Sequence, residues 1–161
     1  MIFKVNFNKH ITDMKIALGS DHAGVEYKKA IVEHLKNKGI ETQDFGPQTT
    51  ESVDYPDYIH PVADAVEKGD ADMGIILCGS GNGAGMTANK HQGIRAALCW
   101  MPEIARLARA HNDANVLCLG GFIIGDTMGC EIADAFLNTG FVEGFPQWRV
   151  DFLNSQKALL A

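Results

Sequence analysis

The chain has no apolar run approaching the ~18–20 residues of a bilayer-crossing helix. It also lacks a basic surplus: 14 Lys and Arg against 20 Asp and Glu leave a net charge of −6. That is the wrong sign for a surface that follows a nucleic-acid backbone. None of its four cysteines, Cys78, Cys99, Cys118 and Cys130, forms a CxxC pair. The opening MIFKVNFNKHITD is too polar for a secretion signal and has no cleavage site. Reduced thiols in a cytoplasm are therefore expected, rather than disulfides. Internal repeats, low-complexity tracts and linkers are missing too.

What is there suits one domain with a sizeable core: 161 residues, 46% hydrophobic and 21% charged. The periodic pattern begins at Met14, so residues 1–13 read as an extension and 14–161 as a single domain. Strand-like runs fall at Lys15–Gly19, Ile40–Phe45, Met73–Cys78, Arg95–Cys99 and Asn115–Leu119. Helical patterns occupy Val25–Lys38, Asp57–Lys68, Ala84–Lys90, Pro102–Ala110, Asp126–Asn138 and about Pro146–Ala158. Val25, Ile31, Val32 and Leu35 form one buried stripe, and Gly39 and Gly69 end their helices. Five strands alternating with helices predict an α/β fold with a parallel, doubly wound sheet. The polar connection Gly46–Pro56 is longer than such a fold needs; it reads equally as a functional loop or a solvated one.

Ligands of these sheets lie beyond the carboxyl ends of the strands. After the third strand, Cys78 is followed by Gly79, Ser80, Gly81, Asn82 and Gly83, with Gly85 beyond. Bare backbone leading into a helix turns N–H groups toward negative charge. The run is no Walker loop, because the Lys-Ser/Thr ending is missing, and its G-x-G-x-G-x-G spacing fails the dinucleotide fingerprint. A tight turn packing helix on strand is the plainer alternative. Cys78 reads either as a small buried hydrophobe or as a thiol activated at a helix end. A base beside N–H donors is what enolisation requires: one group removes a proton next to a carbonyl, the others hold the oxyanion. Ser80 offers a hydroxyl to the same task.

Asp21 and His22, after the first strand, read as an acid/base pair or, for Asp21, as a cap on the following helix. His111 and Asn112 precede the fifth strand, at the opposite edge of the sheet. A five-residue strand spans about 16 Å, so His111 is either a helix-ending surface residue or a contributor to a second subunit's site.

Five motifs in order, SDHAG (20–24), DYPD (54–57), CGSGNG (78–83), NKHQGIRAA (89–97) and ARLARAHNDANVL (105–117), resemble ribose-5-phosphate isomerase B and its relatives, the galactose-6-phosphate isomerase subunits. The resemblance covers Met14 to about Phe152. It implies a Rossmann-like three-layer α/β/α sandwich and a homodimer with shared sites, with a tetramer left open. It also implies interconversion of ribose 5-phosphate and ribulose 5-phosphate through an enediolate, with no metal or other cofactor. By that resemblance Cys78 is the base, Gly79 to Gly83 with Asn82 bind the anion, and Ser80 occupies the family's Ser/Thr position. His111 opens the furanose ring with Asn112 beside it, and Asp21 and His22 bind substrate. Phe122 and Phe145 stand where the family usually has phosphate-holding arginines, and Arg149 keeps the third position. That departure leaves open another sugar or sugar phosphate, or a sugar-phosphate-binding subunit without turnover.

Overall fold

The computed structural model describes residues 5–6, 9–142, 144 and 147–155. In chain order the strands are β1 (Val5–Asn6), β2 (Lys15–Ser20), β3 (Glu41–Asp44), β4 (Met73–Cys78), β5 (Ala96–Leu98), β6 (Val116–Gly120) and β7 (Phe141–Val142). The α-helices are α1 (Val25–Asn37), α2 (Tyr55–Lys68), α3 (Asn82–Ala88), α4 (Pro102–Asn112), α5 (Asp126–Leu137) and α6 (Gln147–Ser155).

Five strands make a parallel sheet in the order β3-β2-β4-β6-β5. β4 is buried along its whole length, which is why MGIILC carries an unbroken apolar run rather than an alternation. Its side chains still alternate in direction. Ile75 and Leu77 join the core with Ile31, Leu35 and Phe136, whereas Ile76 and Cys78 join Ile59, Val62 and Ala84. The first core lies under α1, α4 and α5, the second under α2 and α3. The result is the expected three-layer α/β/α sandwich.

Sequence-readable signals set the helix ends. Gly69 closes α2 with φ of 79°, a left-handed turn that costs glycine little. The α1 stripe is Val25, Lys28, Ile31 and Leu35. Its one polar member, Lys28, is completely buried and hydrogen-bonds Asp44 and the Pro47 carbonyl (2.9 Å for the latter). That bond ties the connection after β3 to α1. Burial pulls the Lys28 ammonium below the ordinary lysine range despite its partner.

One element lies outside the predicted pattern. Val5 and Asn6 pair antiparallel with Val142 and Phe141, forming a two-stranded ribbon apart from the main sheet. Two residues are too short a run to show any period in sequence. Val5 and Asn6 are thus joined to the domain there, and Lys9 is joined where it meets Asp72 at 3.0 Å. Among the described residues no helix is long and apolar enough to cross a membrane.

Candidate active site

The chain turns in opposite directions from β2 and from β4, so the crevice between their carboxyl ends is the switch point of the sheet. Ser20, Asp21 and His22 leave β2 there, and Cys78 leaves β4. The strand pairing continues past the last strand residues. The Asp21 N–H donates to the Leu77 carbonyl at 3.1 Å, and the Gly121 and Phe122 N–H groups donate to the Cys78 and Gly79 carbonyls at 2.9 Å. The loop after Cys78 is therefore held between two neighbouring strands and cannot swing freely.

Cys78 is 5% exposed, and the Gly81 N–H points at its sulfur from 3.1 Å. Gly81 turns the chain with φ of 82°, a conformation that any side chain would strain. α3 begins at Asn82, two residues earlier than the apolar period suggested, because the start is set by this turn. Ser80 is exposed, and its Oγ accepts from the Asn82 N–H at 3.3 Å and the Asn82 amide at 3.2 Å. Two aromatic rings close over the loop. A Cβ built on Gly79 would sit 2.5 Å from the Phe122 ring, and one on Gly83 would sit 2.7 Å from Tyr55. A recess of about 370 Å³ opens beside the start of α3, lined by Gly81, Asn82, Met86, Asn89, Lys90 and Leu98.

Burial pushes Cys99 up to about 12, and raises Cys118 and Cys130 as well. The Cys118 thiol donates to the Gly81 carbonyl at 2.8 Å, so it braces the loop from below as a protonated group. Cys99 and Cys118 are core residues, whereas Cys130 is only partly buried and packs against the core from α5.

The structure brings Asp21, His22, Cys78 and Gly79 to Gly83 to one edge. Asp21 is buried and accepts from the Ala23 and Gly24 N–H groups at 2.9 and 3.2 Å, so one of its oxygens is a cap. The His22 ring nitrogen Nδ1 accepts from the Val53 N–H at 3.2 Å, which joins it to the long connection before α2. His111 and Asn112 are not part of this edge. They end α4, next to Asp113 and the beginning of β6, whereas Cys78 pairs with the last residue of β6, Gly120. Within one chain the length of the strand separates them. Asn112 instead lines a second recess, of about 520 Å³, with His91, Arg95, Leu153 and Asn154. Arg149 lies on α6 with its guanidinium 5.5 Å over the Trp148 ring. Phe145 lies outside the described residues.

Two features of this edge have no clear signal in the sequence. Tyr55 covers Gly83, which the DYPD motif contains but does not explain. Ser20 is fully buried at the crevice, and its Oγ has no hydrogen-bond partner among the described residues. Only the strand-end position of SDHAG hinted at it.

A doubly wound sheet that presents a thiol, backbone N–H donors and a tight glycine turn at its switch point defines a class of α/β proteins that handle small anionic or oxyanionic ligands. Within that class the chain belongs to the ribose/galactose isomerase family, whose model matches residues 16–153. It is 43% identical over 141 residues to the ribose-5-phosphate isomerase B of Escherichia coli, covering 88% of this chain and 95% of that one. It is 39% identical over 145 residues to a 4-deoxy-4-sulfo-D-erythrose isomerase of a Clostridium species, covering 89% and 91%. The crystal structure of Mycoplasma genitalium ribose-5-phosphate isomerase B with bound ribulose-5-phosphate superposes with a TM-score of 0.85 at 43% identity, over 90% of this chain and 96% of that one.

Proposed function

We propose that this chain interconverts ribose 5-phosphate and ribulose 5-phosphate as an aldose–ketose isomerase, with Cys78 as the base. The observation that carries the reading is the Cys78 sulfur at the switch point with the Gly81 N–H 3.1 Å away. The family and the activities in its relatives' names support the reaction class.

In the opened sugar, the Cys78 thiolate takes the proton from C2. The C–H electron pair becomes the C1=C2 bond, and the carbonyl oxygen at C1 takes the negative charge. In this reading the 79–83 loop supplies N–H donors to that charge, with the Ser80 hydroxyl beside them, while the Gly81 N–H faces the Cys78 sulfur. The thiol then returns the proton to C1 while the C2 hydroxyl proton passes to the C1 oxygen, which leaves a ketone at C2 and a hydroxyl at C1. No atom is gained or lost. His111 acts as the ring opener with Asn112 contacting substrate, both supplied by a second copy of the chain, which makes the working unit a cytoplasmic homodimer of pentose-phosphate metabolism. Asp21, His22 and Arg149 complete the sugar-phosphate contacts.

A different sugar is the second reading. It is favoured by Phe122, 80% exposed where the family resemblance expects an arginine, and by the sulfo-sugar isomerase among the relatives. One experiment addresses both. The purified chain is assayed alone on ribose 5-phosphate, allose 6-phosphate, 4-deoxy-4-sulfo-erythrose and free ribose, with and without Cys78→Ala. Turnover of ribose 5-phosphate above the others, lost in the variant, is expected. Equal rates in the two proteins would remove Cys78 as base, preference for another sugar would select the second reading, and no turnover of any would leave a binding subunit.

A further inference from the structure

Away from the crevice, α2 and the segment after α3 bring two imidazoles and two carboxylates together. His60, Asp64 and Glu67 fall at i, i+4 and i+7 on α2, one helical face. His91 follows α3 and reaches across to them. Its Nδ1 lies 3.2 Å from Asp64 Oδ1 and 3.1 Å from Glu67 Oε2. Its Nε2 lies 2.7 Å from His60 Nδ1, with the rings 5.0 Å apart. One donor atom each from Asp64, Glu67 and His91 fits within 4.8 Å of the others.

The geometry of this cluster is its informative feature. His91 Nδ1 faces two carboxylate oxygens at once, while its Nε2 is held by His60. One ligand atom from each of His91, Asp64 and Glu67 therefore converges on a single small volume. Lys68 meets only the outer side of Asp64, at Oδ2, 3.3 Å away. We infer that His91 Nδ1, Asp64 and Glu67 form a binding site for a divalent transition-metal cation of the zinc class, with His60 orienting His91.

Tetrahedral zinc with N and O ligands near 2.0–2.1 Å has donor atoms about 3.3 Å apart. The two imidazole–carboxylate separations here match that spacing with little movement. Imidazole with carboxylate suits zinc better than calcium or magnesium, which take oxygen alone. A ligating His usually donates its other N–H to an outer partner, and His60 stands in that place. The His91 side chain is 14% exposed and the carboxylates more, so an ion reaches the site from solvent and keeps water as its fourth ligand. Binding displaces any Nδ1 proton to solvent. The site fastens α2 to the segment after α3, the helix that starts at the Cys78 loop. It is independent of the isomerase reading.

The test uses the full-length protein stripped by a chelator and titrated calorimetrically with zinc, then with cobalt(II) followed by absorbance. One saturable equivalent per chain is expected, with cobalt bands of nitrogen and oxygen ligation and no thiolate charge transfer. His91→Ala abolishes that binding, and Glu67→Gln, a gentler change on the surface, weakens it at least tenfold. His60→Ala weakens it by about tenfold, the usual effect of an outer partner. Circular dichroism of each variant establishes that it is folded. The inference is overturned if the wild-type chain takes up no saturable equivalent, as it would if a proton alone occupies the cluster. Thiolate charge transfer, or unchanged affinity in both His91→Ala and Glu67→Gln, overturns it equally.

Discussion

At the carboxyl edge of the sheet, polar atoms around the β2–β4 crevice are left open, although Asp44 at the end of β3 is paired with Lys28; at the amino edge, charges are matched. Arg109 is buried there and donates from Nη1 to Asp113 and to the Ala114 carbonyl, both at 2.7 Å. Arg95 meets the second oxygen of Asp113 at 3.1 Å, and Asp72 receives the Lys15 N–H at 2.8 Å. The carboxyl edge instead has a buried Ser20 hydroxyl without a partner among the described residues, a thiol facing one N–H and an exposed Ser80. Saturated networks hold a fold, whereas unsatisfied ones await a ligand. The same strands thus end in matched pairs at one edge and, around the crevice at the other, in a buried hydroxyl unpartnered among the described residues.

The sharpest way to break this contrast compares two cysteines one strand apart. Cys78→Ala is expected to lower kcat on ribose 5-phosphate about 10³-fold, the middle of the range for a lost general base. Cys118→Ala is expected to keep kcat within a few-fold and to lower stability by about 1 kcal/mol. Steady-state kinetics and urea melts on both variants check it. Equal loss of activity in the two would mean that the thiol at the edge has no privileged role.

At the amino edge, Arg109→Ala is expected to lower unfolding free energy by about 3 kcal/mol, because it removes the donor to Asp113 Oδ1 and to the Ala114 carbonyl and leaves Asp113 with Arg95 alone. The low end of the range for broken buried pairs applies, since Asp113 is 35% exposed and water partly screens it. A urea midpoint unchanged from wild type would show that this edge is not the structural one.

Much of both edges was legible in the residues. An unbroken apolar run marks β4 as central, and a thiol followed by glycines marks where its chain must turn. The helix end at Gly69 and the Val25, Ile31 and Leu35 part of the α1 stripe follow from local rules, whereas the burial of Lys28 in that stripe does not, and Val32 is only partly buried. Three further things were not legible. The β1–β7 ribbon joins residues about 136 positions apart through two-residue strands, a long-range pairing with no period to announce it. The Tyr55 and Phe122 rings reach the loop only through the fold, so their sequence neighbours say nothing of Gly83 or Gly79. The cluster at His91 joins a helix face to a residue 31 positions from His60, and only packing brings them together.

Returning to the carboxyl edge, Phe122→Arg sharpens what is missing there. A charge-assisted pair with phosphate contributes roughly 1.5–3 kcal/mol, so KM for ribose 5-phosphate is expected to fall about tenfold or more. Free ribose should show no such change. An unaltered KM for the phosphate ester would mean that its anion sits beyond reach of position 122.

The smallest effect belongs to Asp72 at the amino edge. Burial alone would raise its carboxyl, but the Lys15 N–H and the Lys9 ammonium outweigh it and hold the group below the ordinary carboxylate range. A depressed folded value means that the unfolded chain binds the proton more readily. The stabilisation is therefore complete above the unfolded value of about 3.9, and it disappears as pH falls through the lower folded one. Asp72→Asn keeps an oxygen for the Lys15 N–H and removes the charge, so the comparison isolates the ionised form. The melting temperature of wild type should exceed that of Asp72→Asn at pH 6, and the gap should close as pH falls toward about 2. With the Asp72 side chain 34% exposed, the gap corresponds to less than about 1 kcal/mol and shrinks further in high salt. A gap that stayed constant down to low pH would mean that Asp72 acts through shape rather than charge, and the matched-charge account of this edge would then rest on Arg109 and Arg95 alone.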